Sequence, residues 1–188
     1  DPEILGCGGP GAWKGSLSYS LAAYLGSEIQ VVVHHSTDTI DHLVIDDVVV
    51  TADCCPTPYN YCPTSPNSAG AGSLITYTGS TGFSANDFGL FSFGNPPSKV
   101  GRFFMGPTAT STPFGNGKLC IAGTLTRYPL VTSDSFGVAT YSVDNTAPPA
   151  LGKILPGSTW KWQYWYRDPM GGGAFFNLSD GLSVTYCP

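Results

Sequence analysis

All three histidines of the chain fall between positions 34 and 42: His34, His35 and His42, with Asp38 and Asp41 among them. Residues 28–35 place Ile29, Val31 and Val33 on one face, and residues 43–51 form a second apolar run after the polar turn 36–41. The two runs are expected to pair as a hairpin. His34 or His35 would then oppose His42, and two imidazoles with a carboxylate suit Zn²⁺ or Cu²⁺. The same residues also make an exposed hairpin tip rich in turn formers, which the loose spacing favours. Asp46 and Asp47 follow inside the second run, with side chains on opposite faces. A carboxylate buried there must be paired, hydrogen-bonded or metal-bound. Ca²⁺, which takes oxygen ligands, is one solution, and a hydrogen bond to a neighbouring loop is the other.

Catalytic patterns are poorly represented. Ser36 stands near His35 and Asp38 in sequence, but no Gly-x-Ser-x-Gly elbow occurs. Beyond residue 58 there is no Glu, and the acids are Asp87, Asp134, Asp144, Asp168 and Asp180 alone, a thin supply for paired-carboxylate hydrolysis. Phosphate-loop and dinucleotide fingerprints are missing. No catalytic residue is assigned, and an enzyme is not expected. Trp165, Tyr128 and Trp13 are candidates for a platform on which sugar rings stack. Trp160, Trp162, Tyr164 and Tyr166 alternate along one strand, which is first a packing signal.

The elements that carry these residues follow from composition. Of 188 residues only 11% are charged, against about 25% in an ordinary soluble domain. Gly (24) and Pro (16) interrupt nearly every stretch, and aromatics reach 13%. Long helices are therefore disfavoured. No apolar run approaches the roughly 18 residues that cross a bilayer. Residues 1–58 hold eight acids against Lys14, a charge of −7, whereas residues 59–188 hold seven bases against five acids, a charge of +2. No basic stripe exists, which argues against nucleic acid as a partner. The six cysteines, Cys7, Cys54, Cys55, Cys62, Cys120 and Cys187, form no CxxC pair and imply disulfides in an oxidising, extracellular setting. Chain order pairs Cys7 with Cys54 or Cys55. With export implied and no leader at its start, the chain is expected to be a mature or clipped product.

Residues 53–63 read as a turn-rich, semi-rigid joint stiffened by Pro56, Pro58 and Pro63. Before it lies a partial β segment (1–58). After it, strands are predicted at 73–78, 88–93, 102–105, 118–127, 138–143, 159–167 and 182–187, separated by Gly/Pro/Asn turns. This spacing predicts an antiparallel β-sandwich or jelly roll over 59–188. In strand 159–167, Trp160, Trp162, Tyr164 and Tyr166 should face the core, and Lys161, Gln163, Trp165 and Arg167 the solvent side. Asp168 should end this strand with an ion pair or an Asx turn, and Asn177 should lie in a turn with Asx bonding.

Several motifs occur in a recognisable order: Tyr-Cys-Pro-Thr-Ser-Pro-Asn-Ser at 61–68, Pro-Phe-Gly-Asn-Gly at 113–117, Gly-Lys-Leu-Cys-Ile-Ala-Gly at 117–123, Gln-Tyr-Trp-Tyr-Arg-Asp-Pro at 163–169 and Phe-Asn-Leu-Ser-Asp-Gly-Leu at 176–182. Over roughly 60–188 the chain thereby resembles a β-rich domain at the carboxyl end of large secreted proteins of environmental bacteria, a family to which no activity attaches. Related chains often carry a second Cys soon after the Tyr-Cys start, where this one has Ala69, Gly70 and Ala71, so Cys62 must pair elsewhere or differ in role. Trp13, the run Leu-Ala-Ala-Tyr-Leu-Gly at 21–26, Val-Val-Val at 31–33 and Val-Ile-Asp-Asp-Val at 44–48 make residues 13–51 resemble the closing half of a secreted jelly-roll module, a type that accompanies proteases and glycan-binding proteins and in several cases binds Ca²⁺ or sugars.

Half a sandwich leaves strand edges and an apolar face uncovered. Three completions stay open: a contracted sheet packed on the second domain, a cleaved half that remains bound, or another copy of the chain. The expected protein is thus a secreted, non-enzymatic structural or adhesive β-protein, with other copies of itself as partners and a filament as its extended form. The alternative is a carbohydrate-binding module, with extracellular polysaccharide as partner and Ca²⁺ as the one cofactor in question.

Overall fold

The computed structural model describes residues 56–187. The partial β segment expected before them lies almost wholly outside the described residues, and with it His34, His35, His42, Asp46, Asp47 and Trp13. The described residues form strands β1 (Tyr59–Tyr61), β2 (Leu74–Thr78), β3 (Gly89–Phe93), β4 (Val100–Gly106), β5 (Thr108–Phe114), β6 (Gly117–Ala122), β7 (Thr126–Thr132), β8 (Ala139–Ser142), β9 (Thr159–Arg167), β10 (Phe176–Leu178) and β11 (Gly181–Thr185). All strand pairings are antiparallel. The main sheet runs β1-β11-β9-β4-β7, with β10 beside β9. A three-stranded sheet runs β2-β3-β8, and β5-β6 is a separate hairpin. The sandwich expectation is met, although six, three and two strands are not the paired four-stranded sheets of a jelly roll.

Strand β9 is the axis of the molecule, and its aromatic and polar residues alternate as the pleat requires. Trp162, Tyr164 and Tyr166 are completely buried in the larger core, between the main sheet and the three-stranded sheet. There Trp162 meets Tyr128 (ring centroids 5.0 Å apart) and Phe88 (6.4 Å), while Tyr164 meets Phe103 at 4.6 Å. Full burial of such a ring contributes about 1.5–3 kcal/mol. Gly101 lies under the Tyr164 ring, and a Cβ there would stand 2.3 Å from the Tyr164 hydroxyl oxygen.

The other face of β9 departs from expectation. Gln163 is completely buried rather than solvent-facing, because the β5-β6 hairpin covers it. A second, smaller core of Phe104, Ile121 and Leu178 lies on this side, with Leu119, Leu125, Trp165 and Phe176 packed against it. The molecule has three layers here rather than two.

Further corrections concern individual elements. The joint at 53–63 is not only a connector, since Tyr59–Tyr61 pairs with β11 and becomes an edge strand of the main sheet. The single strand expected at 118–127 breaks at 123–125 into β6 and β7. Pro129 and Pro113 stand in β7 and β5, which remain strands because β7 is a sheet edge and both carry register shifts in their pairing. Asn177 lies buried in β10 rather than in a turn, and its amide donates to the Pro66 carbonyl at 2.8 Å. Asp168 does end β9 as an Asx-type cap, accepting from the Gly171 N–H at 3.2 Å. It also accepts from the Ser68 N–H at 3.0 Å and from the Ser68 hydroxyl, tying the loop after β1 to the end of β9.

Candidate functional site

The outer face of the main sheet is only partly covered, and the uncovered part is a groove. Register builds it. Leu130 on β7 stands opposite Arg102 on β4, Arg102 opposite Trp165 on β9, and Trp165 opposite Leu178 on β10. In the adjacent row Arg127 stands opposite Phe104, and Phe104 opposite Gln163. Each strand therefore contributes alternate residues to one surface. The β5-β6 hairpin supplies the remaining wall through Phe114 and Leu119.

That wall is held in place by bonds from β9, from β1 and from the loop after β1. The Gln163 amide donates to the Lys118 and Ser179 carbonyls at 2.8 and 2.7 Å, and its oxygen accepts from the Cys120 N–H at 3.0 Å. The Tyr61 hydroxyl donates to the Cys120 carbonyl at 2.8 Å. Cys62 and Cys120 form a disulfide, S–S 2.01 Å, which settles the role of Cys62. Cys187 is disulfide-bonded as well. The hairpin turns through Gly115 and Asn116. Gly115 has φ +63°, and a Cβ there would strike the Phe176 ring at 2.2 Å.

The groove encloses about 390 Å³. Its lining is almost entirely apolar, with Trp165 half-buried and Phe114 and Leu130 exposed at 47% and 57%. The charged groups in the lining are Arg102, half-buried, and Arg127, exposed. Neither guanidinium has a hydrogen-bond or ion-pair partner among the described residues. A cavity of this size with an apolar floor and few convergent polar groups has the character of a binding site. Its chemistry suits a group that is apolar in body and anionic at one point.

Of the two described aromatic residues proposed for a sugar platform, Trp165 reaches this surface and Tyr128 does not. Tyr128 is a core residue, 2% exposed and packed on Trp162 from the inner side, and burial pushes its phenol pKa up. It offers no ring face to a ligand, so that expectation is withdrawn. Trp13 lies outside the described residues, as do the histidine and Asp46/Asp47 metal candidates. Among the described residues, no three His, Cys, Asp or Glu side chains come together as a metal site.

Sequence reasoning missed Arg102, Arg127, Phe114 and Leu130. A usable signal existed, because Arg102 and Phe104 are two apart on a predicted strand and share a face. What was missing was the register that places Arg127 and Leu130 beside them.

Two charged groups lie outside the groove lining. Lys161 donates to the Ser183 hydroxyl at 2.6 Å and lies 5.8 Å from the ring centroids of Tyr59 and Tyr61, close enough for cation–π attraction. Asp180 is buried, accepting from the Ile75 N–H at 2.7 Å and the Asn60 amide at 2.8 Å. Desolvation outweighs these bonds and raises its carboxyl pKa to about 6. These bonds join β1, β2 and the turn before β11, so Asp180 is structural.

The fold and groove together define a disulfide-bonded, layered antiparallel β-protein with an arginine-rimmed apolar surface. No protein-family profile, curated protein or solved structure matches the chain. Among the described residues, no helix is long and apolar enough to cross a membrane.

Proposed function

We propose that this chain is a secreted, non-enzymatic structural or adhesive β-protein that builds an extracellular assembly from copies of itself, a filament in its extended form. One observation carries the proposal: an apolar groove of about 390 Å³ whose two arginines lack partners among the described residues. Contiguous exposed apolar surface marks a contact site. The opposite charges of the two parts of the chain, −7 and +2, favour head-to-tail contacts between copies. A heterologous contact that does not close on itself propagates into a filament.

Light scattering after size exclusion, with negative-stain images over a range of concentrations, tests this. Particle mass should grow with concentration. Monomers at every concentration would remove the proposal.

The half-buried Trp165 ring in the groove wall favours a second reading, a carbohydrate-binding module. Pull-down on insoluble polysaccharides, with and without Ca²⁺, separates the two. Retention that depends on Trp165 supports the second, and no retention on any polysaccharide eliminates it.

A further inference from the structure

We infer that the groove receives the acidic aliphatic run at residues 43–50 of a second copy of the chain; this rests on the assembly reading above and names its contact. The groove asks for an occupant with aliphatic side chains and a carboxylate among them, because its floor is Phe104, Trp165 and Leu178 and its charged groups are Arg102 and Arg127. The uninterrupted aliphatic run of the chain with carboxylates in its interior is Leu43-Val44-Ile45-Asp46-Asp47-Val48-Val49-Val50.

Read as a strand, the run places Val44, Asp46, Val48 and Val50 on one face and Leu43, Ile45, Asp47 and Val49 on the other. Either face therefore presents one carboxylate flanked by aliphatic groups. An apolar strand carrying Asp needs a cation or hydrogen-bond donors where it is buried, and the groove's two guanidinium groups, which supply both, have no partner among the described residues. Each deficit answers the other.

Charge on the larger scale agrees, since residues 1–58 carry −7 and residues 59–188 carry +2. Because segment and groove are different surfaces, each copy gives one and receives one. The contact is heterologous and propagates.

Charge reversal on each side of the contact provides the test, using the full chain. A groove variant carries Arg102→Glu and Arg127→Glu, and a segment variant carries Asp46→Lys and Asp47→Lys. Each alone should assemble at least about tenfold more weakly than the natural chain, as expected for close charge pairs. Mixed in equal amounts they should assemble again, because each reversed groove then meets a reversed segment.

If Arg102→Glu perturbs folding, a competing peptide replaces it. Excess peptide of residues 41–51 should shrink natural-chain particles, and the peptide with Asp46→Asn and Asp47→Asn should not. If the natural chain assembles but both variants assemble equally well, or mixing restores nothing, the groove assignment is overturned while the assembly reading stands. A natural chain that stays monomeric overturns the assembly reading and this contact with it.

Discussion

The two faces of the main sheet are built from the same strands yet finished differently. On the inner face β4 and β9 present Phe103, Met105, Trp162, Tyr164 and Tyr166, all buried against the three-stranded sheet. On the outer face the same strands present Arg102, Phe104, Gln163 and Trp165, and the chain covers only part of them with the β5-β6 hairpin. The inner face is closed by residues of this chain, with aromatic contacts on every side. The outer face closes around a buried glutamine and a disulfide, then opens into a groove with two arginines free among the described residues. Apolar burial dominates the first arrangement, whereas in the second a smaller apolar core is reinforced by directional and covalent bonds. Stability is thus concentrated on one side of the sheet and an available surface on the other.

Truncating one tryptophan on each face of β9 is the most direct way to break this comparison. Trp162→Ala should cost about 3–5 kcal/mol, since it empties the centre of the aromatic core. Trp165→Ala, half-buried beside Phe176, should cost about 1–2 kcal/mol, within the ordinary range for a partly exposed site. Urea midpoints for both variants provide the check, and equal losses would end the distinction between the faces.

The Cys62–Cys120 disulfide comes next. It spans 58 residues, and joint replacement by Ser should cost roughly 2–4 kcal/mol from the unfolded-chain entropy. The loss should be accompanied by faster hydrogen exchange in β5 and β6 than in β9, because the disulfide ties the hairpin to the loop after β1. Uniform acceleration across the sheet would show that the hairpin is not a separately anchored layer.

The smallest effect is pH dependence. Asp180 ionises near 3.8 when unconstrained and near 6 in the fold, where desolvation outweighs its hydrogen bonds. Between these values the folded chain holds more protons than the unfolded one, so this group's contribution to stability is full below about pH 4. It is lost as pH rises through about 6. Urea midpoints from pH 4 to 7, compared with Asp180→Asn, should show a downward slope in the natural chain that the variant lacks. Identical slopes would remove Asp180 as the cause.

Legibility in the sequence varied with how local each signal was. Strand β9 was predicted over its whole length, because alternating Trp and Tyr residues carry their own periodicity. The β2, β3, β8 and β11 strands were foreseen to within two residues at either end. Strand β5, Thr108–Phe114, was missed because nearly all of its residues are exposed, leaving no apolar alternation to read. Strand β1 reads as connector in the sequence because Pro56, Pro58 and Pro63 flank it and argue against regular structure. Its pairing partner β11 lies about 120 positions away, as the bond from Asn60 to Asp180 illustrates. The candidate site suffered most. Of the ring candidates, Trp165 lies in the groove lining and Tyr128 in the core, and the signal that joins the two arginines is not readable without register.

By itself the sequence determined the antiparallel β class, the inward face of β9, the need for disulfides and the uneven spread of charge. These follow from composition, periodicity and residue chemistry, which operate over a few neighbouring positions. Only the tertiary structure decided that Gln163 is buried, that Cys62 joins Cys120, and that Arg102, Arg127, Leu130 and Trp165 line one groove. Those outcomes depend on strand register and on which hairpin covers which face. Shifting a strand by one residue exchanges all its inward and outward side chains, and nothing within a single strand specifies its partner's register.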